Sequence, residues 1–269
     1  MSNDSTKKML IVALGVCLVC SVFVSTAAVS LNARQEQNKE LDKLKNILVA
    51  GDLMVDGGDI QKIFQEKIEI GLVELQKGGY VAEDQFNEKL NPNDFDMKDM
   101  AEHSEYGMAI PSEKDIAHIL RMPKYMPVYT VKVNGAIEKY ILPIYGKGLW
   151  STMYGFLALA SDLETIEGIT FNEHGETPGL GGEIDNPKWK AIWKGKKAFD
   201  ENGNVRITVI KGVVDPSGEN AIYEVDGLSG ATITTRGLDA TTKFWLGADG
   251  YGPFIQQCKI QEEGIDEQS

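Results

Sequence analysis

The sequence predicts an α+β fold: a single N-terminal transmembrane helix, then one domain of antiparallel strands with packed helices. Three observations predict it. Met9 to Leu31 contains no charged residue, and a helix of that length rises about 34 Å, enough to cross a hydrocarbon core of about 30 Å. Val128–Val133 and Ala136–Tyr145 are strand-like runs joined by Asn134-Gly135, a dipeptide that favours the type I′ turn of a hairpin. Long strand runs come first and helical patterns late, which is the order of an α+β domain and not of a regular βαβ array.

Composition narrows the function classes. With 269 residues, 42% hydrophobic and 25% charged, the chain has globular composition, unlike collagenous, low-complexity or disordered sequences. A net charge of −13 argues against nucleic acid as a partner, because such binding draws on Lys and Arg. Three Cys make no disulfide framework or Cys/His cluster, so no metal site is expected. No dinucleotide fingerprint, Walker loop or internal repeat occurs.

Residues 1–31 form the N-terminal tail and transmembrane helix. Their apolar run is long for a signal-peptide core of about 7 to 15 residues, and Leu14-Gly15-Val16-Cys17 fits a lipobox poorly, so the segment reads as a retained anchor. Cys17 and Cys20 are then small apolar residues of the span. Without this segment the remaining body is slightly more acidic than the whole. Orientation is not decided by charge: Lys7 and Lys8 precede the span, while Arg34, Lys39, Lys43 and Lys45 follow it among Glu36, Glu40 and Asp42.

Residues 32–50 read as a helical connector, with Leu41, Leu44 and Leu48 at helical spacing and Gly51 at its end. Residues 51–125 are a variable region of the soluble domain: a short helix over Asp59–Lys67, then irregular surface rich in Gly, Asp and Asn, including Gly78-Gly79 and Asn91-Pro92. Residues 126–258 are the core. Beyond the hairpin, strands are expected over Met153–Ala160, Ile166–Asn172 and Val205–Ile210, and helices over Pro187–Phe199, with Trp189 and Trp193, and Thr234–Leu246. Residues 259–269 are a polar tail.

The chemistry concentrates in Asp226–Arg236. Ser229 reads as an N-cap, Gly230 and Ala231 leave the backbone uncrowded, and Thr232 lies in the first turn, where unpaired N–H groups can receive a phosphate. Taken alone, Ser-Gly-Ala-Thr is equally a plain capping sequence. Gly146-Lys147-Gly148 alone is a turn, Trp150 is core or a stacking platform, Glu176–Gly182 is a Pro-Gly loop, His174 is a loop residue and Lys211 a surface lysine.

Together, Gly148–Gly155, His174–Gly181, Asp226–Thr235 and Phe244–Phe254 closely resemble the C subunits of sodium-translocating NADH:quinone reductases. The related G subunits of Rnf complexes share Ser-Gly-Ala-Thr, but Asp226-Gly227-Leu228 before it and Phe244-Trp245-Leu246-Gly247 after it resemble the reductase more. The resemblance implies an FMN-binding domain carrying one FMN, which a flavin transferase esterifies through its phosphate to Thr232. It also implies Ser229, Gly230, Ala231, Trp150, Glu176, Thr177, Leu180, Gly181 and Lys211 as cofactor-binding residues, and no catalytic residue in this chain. A single-pass protein of the inner membrane follows, its domain facing the periplasm. Within the complex it would relay electrons from NADH toward ubiquinone or menaquinone, next to the FMN-bearing B subunit and the membrane subunits, while another subunit oxidises NADH. The alternatives are the FMN subunit of an Rnf-type ferredoxin:NAD complex and a non-redox structural subunit. A covalent link has a physical rationale: a helix terminus contributes up to about 2 kcal/mol to holding an anion, whereas nanomolar retention needs about 12 kcal/mol.

Overall fold

A computed structural model describes residues 6–55 and 57–266; the first residues of the N-terminal tail and the last of the polar tail lie outside them. Helix α1, Thr6–Ala50, runs unbroken for 45 residues. The expected anchor and connector are therefore one helix, since no Gly or Pro interrupts residues 32–50. Its apolar stretch is long and apolar enough to cross a membrane, and none of that stretch is buried. Cys17 and Cys20 are exposed on it. The chain divides into two compact units, residues 1–43 and residues 44–269, so the last turns of α1 belong to the second unit.

That unit continues through α2 (Ile60–Lys67), β1 (Ile68–Glu74), α3 (Met97–Glu102), β2 (Gly107–Ala109) and β3 (Arg121–Pro123). Then come β4 (Tyr125–Val133), β5 (Ala136–Lys147), β6 (Thr152–Ala160), β7 (Ile166–Glu173) and α4 (Pro187–Ala191). The chain closes with β8 (Thr208–Val209), β9 (Glu224–Val225), α5 (Thr232–Leu246) and α6 (Gly252–Asp266). Five strands form one antiparallel sheet in the order β1-β4-β5-β6-β7. The β4–β5 hairpin turns at Asn134 (φ 53°) and Gly135 (φ 87°), the left-handed pair that a type I′ turn requires.

Alternation along the strands buries both faces of the sheet. Tyr129, Val131, Ile141, Phe156 and Ala158 pack with Ile47, Leu48 and Phe64 on one side. Val128, Leu142, Ile144 and Leu157 pack with Leu238, Trp245 and Phe254 on the other. Two polar contacts pin the end of α1 to the first face: the Lys139 ammonium donates to the Gly51 carbonyl at 2.9 Å, and the Thr170 hydroxyl to the Asn46 carbonyl at 3.0 Å. On the second face α5 lies along β5. The Trp245 indole donates to the Tyr145 carbonyl at 2.7 Å. A Cβ at Gly146 would collide with the Thr241 hydroxyl, and one at Gly237 with the Lys147 carbonyl, so these two glycines set how closely helix and strand approach.

Several expectations are corrected. Residues 68–74, expected as irregular surface, form β1 at the sheet edge; the alternation of Ile68, Ile70 and Leu72 was the available signal. The variable region thus supplies a strand of the main sheet, and its Phe64 enters the core. The helix expected over Pro187–Phe199 stops at Ala191: Gly195 takes φ 81°, and residues 196–198 turn back to bond with residues 164–166. The strand expected over Val205–Ile210 contracts to β8 and pairs in parallel with β9. Part of the expected polar tail continues α6, whose first turns bury Phe254 and Ile255.

Burial of the end of α1 has a measurable consequence. Leu48 is fully buried and Val49 is 37% exposed. Leu48→Ala is expected to destabilise the domain by about 2–5 kcal/mol, and Val49→Ala by less than about 1 kcal/mol, in urea unfolding followed by tryptophan fluorescence.

Candidate functional site

Three loops meet at the N-terminal end of α5: residues 148–151 after β5, residues 174–186 after β7, and residues 226–231. Their common element is the Glu176 side chain. Its carboxylate accepts from the N–H groups of Leu149 (3.2 Å), Trp150 (3.0 Å) and Ser151 (3.3 Å), and from the Thr234 hydroxyl at 2.5 Å. Burial alone pushes the Glu176 carboxyl up; the Thr234 hydroxyl and the three N–H groups outweigh it and hold the group below its ordinary value. With its acceptor capacity taken by protein donors, Glu176 is a positioning residue. Packing around it admits no side chains: a Cβ at Gly148 would lie 2.5 Å from its carboxylate, and one at Gly181 would lie 2.6 Å from the Thr234 hydroxyl.

The loop carrying Glu176 is itself fixed. His174 Nε2 lies 2.7 Å from the Asp185 carboxylate, and His174 Nδ1 accepts from the Glu176 N–H at 3.2 Å. The bond to Asp185 raises the His174 pKa. Thr177-Pro178-Gly179-Leu180 then form a tight turn, with the Leu180 N–H donating to the Thr177 carbonyl at 3.1 Å and Gly179 at φ 75°. The turn displays Leu180 outward, and Trp150 is 68% exposed.

Helix α5 begins at Thr232 with Ala231 at the cap position and no side-chain cap. Ser229 is therefore not the N-cap expected of it, because Gly230 takes φ 73° and delays the helix by two residues. The Leu228 N–H instead donates to the Thr235 hydroxyl at 3.1 Å. The first helical bond runs from the Thr235 N–H to the Ala231 carbonyl, so the N–H groups of Thr232, Ile233 and Thr234 lead the helix without intrahelical acceptors. The hydroxyls of the three threonines differ. Thr234 and Thr235 are 1% and 5% exposed and committed to the bonds above, whereas Thr232 is exposed and its hydroxyl has no partner among the described residues.

Beside Thr232 lies a cavity of about 230 Å³ whose lining includes Val209, Lys211, Gly212, Leu228, Thr232 and Arg236. Asp239 of α5 fixes its β8 wall, accepting from the Thr208 hydroxyl (2.8 Å) and the Val209 N–H (2.9 Å) while paired with Lys243 at 2.8 Å. The Gly227 N–H donates to the Gly212 carbonyl at 2.9 Å, joining the lining segments that follow β8 and β9. Lys211, predicted from sequence, lines this cavity. Arg236 was missed, although its spacing of one helical turn from Thr232 could have found it. Among the described residues no group of His, Cys, Asp or Glu is arranged to hold a metal. An exposed hydroxyl, a small cavity with two cations and helix N–H groups, and apolar side chains at its margin suit an anionic ligand with a planar apolar part.

Residues 148–247 match the FMN-binding domain family, a span that contains all three loops and the whole of the helix they surround. A Pseudomonas aeruginosa protein named as the C subunit of the Na(+)-translocating NADH-quinone reductase is 45% identical over 97% of this chain and 99% of its own. The chain belongs to this family of reductase C subunits. Another member, from Vibrio parahaemolyticus, is 42% identical over 98% of both chains. The crystal structure of Shewanella oneidensis NqrC superposes with a TM-score of 0.73 at 35% identity, covering 81% of this chain and 96% of that one. The crystal structure of the same reductase subunit from Parabacteroides distasonis gives 0.63 at 30% identity, over 84% and 96%. Full-length agreement with the reductase C subunits decides between the two related families to which the motifs pointed. As a member, this protein is part of a sodium-translocating oxidoreductase complex and carries an FMN-binding domain.

Glu176→Gln is expected to destabilise the domain by about 1–3 kcal/mol, since one amide end would face donors it cannot satisfy. The folded-state pKa of Glu176 is lowered from 4.5, so its contribution is complete above that value and lost as pH falls through the lower one. Acid unfolding of the wild type should show a component that Glu176→Gln lacks.

Proposed function

We propose that this chain is the flavin carrier of its complex, with FMN joined through a phosphoester to Thr232. It relays electrons that originate in NADH toward ubiquinone or menaquinone, by way of the FMN-bearing B subunit. In this reading α1 anchors the chain in the inner membrane, the domain stands on the periplasmic side, and a flavin transferase loads the cofactor. One observation carries the attachment: of the three threonines opening α5, Thr232 alone has an exposed hydroxyl that no other described residue engages.

Cavity size supports a covalent link. At about 230 Å³ the space is below the range of about 300–1,000 Å³ typical of small-molecule pockets, so it suits the phosphate end and leaves the ring at the surface. A covalent bond then supplies the retention that burial does not. Bound FMN supplies the electron-accepting and electron-donating chemistry; the chain's residues bind and orient it. Trp150 and Leu180 offer apolar contact to the ring, Thr177 and Gly181 shape the neighbouring turn, Ser229, Gly230 and Ala231 present Thr232, Glu176 holds the three loops in register, and Lys211 faces the phosphate.

The test is the full-length chain co-expressed with a flavin transferase and denatured on a gel. Wild type should fluoresce and gain the mass of one FMN less water, and Thr232→Ala should lose both signals. Fluorescence persisting in that variant refutes the attachment. Trp150→Ala should still load but emit more strongly in the native state, because a stacked indole quenches flavin emission.

A further inference from the structure

We propose that Arg236 and Lys211 form a two-cation clamp on the phosphate that joins the flavin to Thr232, with Arg236 supplied by the same helix that carries the attachment point. The clamp rests on the reading of Thr232 as that point. Arg236 follows Thr232 by four residues and therefore lies one turn along the same face of α5, and both residues line a cavity that Lys211, from the segment after β8, also lines. Neither cation has an ion-pair or hydrogen-bonding partner among the described residues.

The nearby carboxylates do not compete for these cations. Asp239 is held by Lys243, the Thr208 hydroxyl and the Val209 N–H. An oxygen of Asp226 accepts from the Val214 N–H at 2.8 Å. The chain has a net charge of −13, and lysines such as Lys194, Lys197 and Lys259 are drawn into pairs with its acids. Two cations left to face one small cavity in such a chain mark a place for an anion. A phosphodiester keeps one negative charge shared by two non-bridging oxygens. The planar fork of an arginine can engage both oxygens, while a lysine acts as a point charge. The leading N–H groups of α5 add to the same field.

The experiment uses the full-length chain, co-expressed with flavin transferase and purified in detergent, with Arg236→Gln, Arg236→Lys and Lys211→Gln. Phosphorus NMR of the loaded protein should give a resonance displaced from wild type in Arg236→Gln and Lys211→Gln, and partly restored in Arg236→Lys. Loss of one charge-assisted hydrogen bond corresponds to about tenfold, so an added phosphodiesterase should release flavin about tenfold faster from either Gln variant. Resonances and release rates equal to wild type in both Gln variants overturn the clamp. Should Arg236→Gln fold but fail to load, loading regained by Arg236→Lys supports the clamp, and failure of both overturns it. Flavin retained by Thr232→Ala overturns the attachment instead, so the two claims fail separately.

Discussion

Glu176 is buried at the junction of three loops that are distant in the chain, and its carboxylate is the constraint on which the site depends. Desolvating a carboxylate is costly unless donors replace water. Here three consecutive backbone N–H groups and a threonine hydroxyl replace it. The same contacts tie the strand-end loop bearing Trp150 to the helix bearing Thr232. Gly146 and Gly237 bring α5 against β5, and Gly148 and Gly181 leave room for the carboxylate. Sheet, helix and loops therefore share one geometry, and loss of the carboxylate would loosen the relation between the loop bearing Trp150 and the helix bearing Thr232.

That geometry sorts otherwise equivalent side chains. Thr232, Thr234 and Thr235 all lie in the first turn of α5, yet two hydroxyls are spent on structure, one holding Glu176 and one receiving the Leu228 N–H. The remaining hydroxyl faces a cavity too small for a whole dinucleotide or flavin. The titratable groups of the surrounding loops are tied into the structure, Glu176 by its four donors and His174 by Asp185 and the Glu176 N–H.

The fold was legible where local chemistry is strong. The uncharged run from Met9 to Leu31 locates the start of α1 to within a few residues, and the strand-like runs either side of the Asn134-Gly135 turn do the same for β4 and β5. Less legible were elements that tertiary contacts create. β1 sits at the edge of a Gly- and Asp-rich region and owes its form to pairing with β4; α4 ends shortly before Gly195 turns left-handed; and β8 exists by parallel pairing with β9, which comes later in the chain. At the site, the Ser-Gly-Ala-Thr core was evident, but its cap was misassigned because Ser229 has cap chemistry and only the φ of Gly230 shows where the helix starts. The clamping role of Glu176 and the placement of Arg236 beside Lys211 depend on distances between segments, which no local pattern encodes.

Helix-start geometry leaves one of the three threonine hydroxyls exposed and unengaged among the described residues, and the proposed attachment to Thr232 rests on it. Fragment-ion mass spectrometry of the flavin-bearing peptide spanning Asp226 to Lys243 tests this most directly, since Thr232, Thr234 and Thr235 are all present in it as internal alternatives. The flavin-phosphate mass is expected on Thr232 alone; its appearance on Thr234 or Thr235 would contradict the assignment.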